Sequence, residues 1–234
     1  YNDQLPNFFS ADYRAQGRAF TERWLKTIES IGPEGLTGQD LLSYEIFVRD
    51  AKLALEGDRF PGWQQPINQF YNIAAMAVQL GSGTGAQPFK TVQDYDNWRK
   101  RGARIPELFD QAIANMRQGI KQGITQPKAI MVSALPQFQK LTSRTPEASI
   151  YYTPISKLPA TFADADKQRL TAAYRKTIQD RLMPALDRLA LFLEKEYLPA
   201  CRTSTGLGAL PNGAAWYQAR VANATTTTLT PDEI

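Results

Sequence analysis

Apolar residues recur along this chain mostly at helical spacing. Phe20, Trp24, Ile28 and Ile31, spaced four, four and three, share one face of a helix predicted over residues 10–31, with Arg23, Lys26 and Glu29 turned elsewhere. Gly32-Pro33 ends it. A second helix over 37–56 carries Leu41, Tyr44, Val48, Ala51 and Leu55 as its stripe, with Gly57 as a stop. Residues 60–89 are less regular: Pro61, Gly62 and Pro66 punctuate the start, 68–80 reads as a short buried helix, and Gly-Ser-Gly-Thr-Gly at 81–85 as a flexible turn. The longest stripe runs over 164–198. Leu170, Tyr174, Ile178, Leu182, Ala185, Leu189, Phe192 and Glu196 step by four, four, four, three, four, three and four. Such a helix is about 50 Å long at 1.5 Å per residue, and Pro184 is expected to bend it.

Capping residues place the remaining boundaries. Thr91 with Asp94 three positions on resembles a capping box ahead of Tyr95 and Trp98. Ile105-Pro106 restarts the helix, which carries Leu108, Ala112, Asn115 and Met116 to about Gly119. Pro127 opens a short helix through Ala134, before Pro136. An extended stretch is expected over 148–155, and a last helix over 212–224 carries Ala215, Trp216 and Ala219. Thr225 to Thr228 read as an extended connection, and Thr230-Pro231-Asp232-Glu233 as N-cap, first-turn proline and first-turn acids. A helix announced at the last residues leads us to expect a larger protein. The fold class is all-α, with long antiparallel helices in one helical region over 1–234 and a weak boundary near 81–90.

Composition narrows the chemistry more than the fold. A chain of 234 residues and 26.2 kDa is large enough for a real core, and a compact monomer of this mass exposes roughly 10,500 Å². There is no His and one Cys, which excludes a His-containing triad, a His zinc site, a cysteine cluster and an intrachain disulfide. The net charge is +4. Its densest basic run, Arg99, Lys100 and Arg101 with Arg104, is too short for a nucleic-acid tail and reads as the solvated end of an amphipathic helix, so no nucleic-acid partner is expected. No apolar run reaches the roughly 18–20 residues of a membrane span.

Local motifs add little catalytic promise. The glycine run at 81–85 has no following Gly-Lys-Ser/Thr and no strand before it, so it reads as a loop between helices and not a phosphate cradle. Cys201 has no imidazole partner, although neighbouring Arg202 would favour its thiolate. Asp164/Asp166 and Glu194/Glu196 are two apart, a spacing that does not pair carboxylates on one helical face.

Three stretches taken together carry a family resemblance: TVQDYDNWRKRGARIPELFDQAIANMRQGIKQGITQPK at 91–128, LPATFADADKQRLTAAYRKTIQDRLMPALDRLALFLEKEYLPACR at 158–202, and GLGALPNGAAWYQARVANATTTTLTPDEI at 206–234. In order and spacing they resemble the N-terminal half of proteins in the domain of unknown function 885 family, with the first ninety residues matching only loosely. The resemblance implies a longer, predominantly helical, exported bacterial lipoprotein similar to zinc metallopeptidases, periplasmic or lipid-anchored in the cell envelope. The family's zinc-binding HExxH segment would lie in a further C-terminal half, so zinc is expected only there, and no catalytic or metal residue carries over to this segment. The partners implied are that C-terminal half, a peptide substrate and a lipid anchor upstream. Asp94, Tyr95, Trp98, Arg117, Pro127, Tyr217, Arg220, Thr226, Thr227 and Thr228 match the motifs and are expected to give structural or cleft support. The function implied is scaffold and cleft wall of a zinc-dependent peptidase-like protein, inactive alone; the alternative is a non-enzymatic helical binding or interaction module of the envelope.

Overall fold

The computed structural model describes residues 2–234, and it is helical throughout, with no strand among the described residues. The sole strand-like contact among them is a bridge between Pro127 and Arg202. Two helices, α1 (Ala11–Ile31) and α2 (Gly38–Gly57), form a hairpin. Ser10 caps α1 by accepting from the Tyr13 amide at 3.1 Å. α3 (Ile73–Gly81) begins later than the pattern suggested. Asn68 Oδ1 accepts from the amides of Phe70 and Tyr71, closing a turn, and Asn72 supplies the cap by accepting from Ala75 at 2.6 Å.

α4 (Val92–Gly102) opens on the expected capping box, with Thr91 Oγ1 accepting from the Asp94 amide and Asp94 Oδ2 accepting from the Thr91 amide. α5 (Ile105–Gln122) follows, with Pro106 in its first turn. α6 (Lys128–Gln139) continues past Pro136, which sits in its last turn, where few later amides need the ladder. The extended stretch expected over 148–155 is not extended. Thr145 and Ser149 accept from amides downstream and start two 3-10 turns, Pro146–Ala148 and Ile150–Tyr152, and Pro154 lies in the first turn of α7 (Thr153–Ser156).

The long stripe forms one helical rod over 164–200, but not a uniform one. It consists of α8 (Asp164–Thr177), a π turn (Ile178–Leu182), α9 (Met183–Phe192), a second π turn (Leu193–Tyr197) and α10 (Leu198–Ala200). Met183 N–H donates to Ile178 O, and Leu198 N–H donates to Leu193 O. A proline follows each donor, Pro184 and Pro199. The wider turn rearranges the ladder just where proline removes a donor and crowds the preceding turn. Glu196 closes the sequence stripe yet is exposed, and Tyr197 takes the buried place.

The rod packs α8 on α4, α9 on α5 and α6, and its C-terminal end on α6. The main core follows from this, with Leu170, Tyr174, Leu189 and Tyr197 meeting Tyr95, Trp98, Phe109 and Met116. Two tyrosines there behave differently. Tyr174 donates to Tyr95 O at 2.9 Å, whereas the buried Tyr151 hydroxyl has no partner among the described residues. Tyr151→Phe is therefore expected to leave stability unchanged or raise it, and Tyr174→Phe to lower it by about 1 kcal/mol, in matched urea unfolding. A larger loss for Tyr151→Phe would reveal a hidden hydrogen-bond partner.

A smaller core, Phe60, Ile124, Leu210 and Trp216, holds α11 (Gly213–Thr225) against the turn after α2. Beyond α11 the chain turns instead of running extended. Thr226 has φ of 59°, and Thr225 and Thr227 hydroxyls bond each other at 2.9 Å. The last residues form the expected cap: Glu233 Oε2 accepts from the Thr230 amide and hydroxyl, around a 3-10 turn (Pro231–Glu233).

Candidate functional site

The motif-matching residues separate into three places. Asp94, Tyr95 and Trp98 build the interior at α4: Asp94 caps the helix, the Tyr95 hydroxyl donates to Pro154 O at 3.3 Å, and Trp98 stacks on Tyr151. Arg117 and Pro127 fasten the rod. Arg117 grips Glu196 with two hydrogen bonds of 2.8 and 2.6 Å and lies over the Phe192 ring at 5.3 Å. Pro127 caps α6, whose first amide, on Lys128, donates to Arg202 O at 2.8 Å. Tyr217, Arg220 and Thr226 to Thr228 are all exposed, on α11 and the turn after it.

Groups with chemical potential are engaged or out of reach. Cys201 is buried, and burial pushes its thiol up to about 11, outweighing Lys128 and Arg202 nearby. Arg202 cannot act as a free thiolate partner because its guanidinium donates to Thr125 O, Ser204 O and Gly206 O. At pH 8 we expect a thiol reagent to modify the folded chain at least tenfold more slowly than the urea-unfolded chain; equal rates would mean an accessible thiolate. Glu196 is held below the usual carboxylate range by Arg117, and Glu194 by Lys195. Asp164 and Asp166 instead meet Lys167 and Arg169. The basic run is also partnered, Lys100 with Asp3 and Arg104 with Glu107.

The donor set does not fit a catalytic zinc. The sequence has no imidazole, and among the described residues no three His, Cys, Asp or Glu side chains converge. Nor is any helix among them long and apolar enough to cross a membrane.

What stands out is apolar surface, which the α1 stripe led up to without revealing. Of that stripe, Phe20, Trp24 and Ile31 are exposed, and the buried residue of α1 is Leu25, one position out of phase with Trp24. Across from it α2 exposes Ile46 and Phe47. Phe20 and Trp24 from α1 and Ile46 and Phe47 from α2 line an open trough of about 530 Å³, floored by Ala51 and Ala54; Ile31 lies outside it. The Phe20 and Trp24 rings meet edge to face at 6.1 Å, and the Arg23 guanidinium lies within 5.5 Å of both. The described chain exposes 13,394 Å², about a quarter more than a compact monomer of this mass.

Comparison with known proteins follows the same line. A solved structure described as that of a lipoprotein from Colwellia psychrerythraea superimposes with a TM-score of 0.74 at 18% identity over 93% of this chain, which supports the helical fold. This chain spans 39% of the length of that one. No curated protein matches. The family model for DUF885, described as bacterial protein of unknown function, matches residues 1–234, including the first ninety that resembled it only loosely. The chain belongs to the DUF885 family of bacterial proteins.

Proposed function

We propose that these residues act as one non-catalytic helical interaction module of a bacterial envelope protein, with the α1–α2 trough as the docking surface. The occupant we assign is an amphipathic helix from polypeptide beyond these 234 residues in the longer protein. The observation that carries this is the excess surface, 13,394 Å² against roughly 10,500 Å². That difference is larger than the area a standard stable interface removes from water, about 1,600 Å². Two antiparallel helices leave one groove open, and a third helix laid into it satisfies both apolar faces. The length of the solved relative supplies the room for such a helix, and its description as a lipoprotein supports the envelope location.

Hydrogen exchange tests the reading. Amides of residues 20–24 and 46–51 are compared in the 234-residue chain and in the protein purified from its native envelope. Greater protection in the native protein is expected; identical exchange in both would sink the proposal. In a finer version of the same reading the module is scaffold and cleft wall for a zinc-dependent peptidase-like half, with the zinc ligands, peptide contacts and lipid anchor outside these residues. The family resemblance supports that version, in which the ten motif-matching residues brace the cleft. Peptide hydrolysis by the native protein that is lost on chelation and restored by zinc is its expected result, and hydrolysis indifferent to chelation would overturn it.

A further inference from the structure

A second concavity, sharing no lining residue with the α1–α2 trough, lies at the junction of α2, the turn at residues 57–62 and α11. It holds about 170 Å³. Apolar side chains form one part of its wall: Leu53 from α2, Ala219 from α11, and the buried Phe60 and Trp216, whose rings stack at 5.8 Å and 10°; Gly57, Gly62, Arg220 and Asn223 form the rest, and the surface it offers is mixed. At the rim stand Arg220 and Asn223. Among the described residues Arg220 has neither an ion-pair nor a hydrogen-bond partner, and no acidic residue lines the cavity. The nearby acid, Asp58, faces Arg18 at 3.9 Å.

Glycine keeps the space open. A Cβ at Gly62 would sit 3.5 Å from Trp216 Cζ2 and 4.0 Å from Arg220 Nη2, so any longer side chain there would enter the gap between ring and guanidinium. Arg49 stiffens the junction by donating from α2 to Ala222 O on α11 at 3.3 Å. A cavity of roughly 150 Å³ is large enough for a benzene-sized group. A guanidinium with free donors at its mouth calls for a planar anion, since its fork matches a carboxylate.

We propose that this cavity binds a carboxylate carrying an apolar ring or branched group, either the C-terminal residue of a peptide or a free acid of the same shape. The apolar group enters between Leu53, Phe60, Trp216 and Ala219, and the carboxylate pairs with Arg220. Asn223 can donate to the second carboxylate oxygen. Specificity follows from the two halves together. An acid without the apolar group leaves the walls wet, and an apolar group without the acid leaves the guanidinium unused.

Calorimetric titration of the 234-residue chain tests this with four probes: Ala-Ala-Phe, its C-terminal amide, 3-phenylpropionate and acetate. Saturable binding is expected for at least one of the ring-bearing carboxylates, with loss on amidation and none for acetate. Ala-Ala-Phe binding at least as tightly as 3-phenylpropionate assigns a peptide terminus; binding of 3-phenylpropionate alone assigns a small acid. Arg220→Gln, an exposed change, is expected to weaken binding at least about tenfold, the effect of losing one charge-assisted pair. Ala219→Leu, which fills the cavity, is expected to remove it. No saturable binding, equal binding of acetate, or affinity unchanged in Arg220→Gln overturns the proposal.

Discussion

Trp98→Ala is expected to lower the stability of the chain by about 3–5 kcal/mol, a large share of the roughly 5–15 kcal/mol by which domains are stable. Trp98 is 2% exposed and stacks on Tyr151 at 6.1 Å. It is enclosed on two sides by glycines, Gly81 at the end of α3 and Gly102 at the end of α4. Removing the indole leaves a cavity that neither glycine can fill, and the flanking helices can close it only by shifting their own packing. The midpoint of urea unfolding, read with its slope, checks this. A loss under 1 kcal/mol would mean that α3 and α4 collapse freely onto each other.

The reverse change at the same contact is expected to be costly too. A Cβ at Gly81 would collide with Trp98 Cζ2 and lie 2.6 Å from Tyr151 Cδ1. Both rings are buried and cannot swing outward, so Gly81→Ala should cost roughly 1–3 kcal/mol by overpacking, against a gain of at most about 1 kcal/mol in helix propensity. In a Trp98→Ala background the clash with the indole is gone, and the Tyr151 ring gains space to give way. The added cost of Gly81→Ala should then fall, a coupling that a double-mutant cycle reads directly. Additive effects would refute the close approach.

This contact shows why some of the fold was legible and some was not. The helix starts at Ser10, Thr91 and Pro106 are local events, in which a side chain or ring satisfies the first turn, and sequence spacing finds them. Gly81 also reads locally, as the first residue of a glycine-rich turn, but its role is set by Trp98 and Tyr151, far along the chain. Residues 148–155 misled for another reason. Their β-branched and aromatic residues suggest extension, but hydroxyl caps and prolines close tight turns before any strand finds a partner. The α1 stripe marks a face without saying what meets it, so the same periodicity serves a core in α5 and a surface in α1. Of the motif-matching positions, the sequence distinguishes none as buried or exposed. Arg220 draws attention only once α11 is seen against the turn at Gly62.

The first π turn carries a hint of itself in the sequence. Leu170, Tyr174, Ile178 and Leu182 are spaced four apart three times running, more than the 3.6 residues of an α turn, and the surplus is taken up where the ladder widens. Each wide turn resets the phase of everything downstream. The rod is thus cut like a key with three bits, the first set against α4, the second against α5 and α6 together, and the last against α6. Such a key does not slide. Moving it by one helical turn would bring each bit opposite the wrong lock at once, so displacement along its axis has no intermediate stop. A signal reaching one end of this protein along the rod would have to travel by loosening the neighbours, not by pushing the helix.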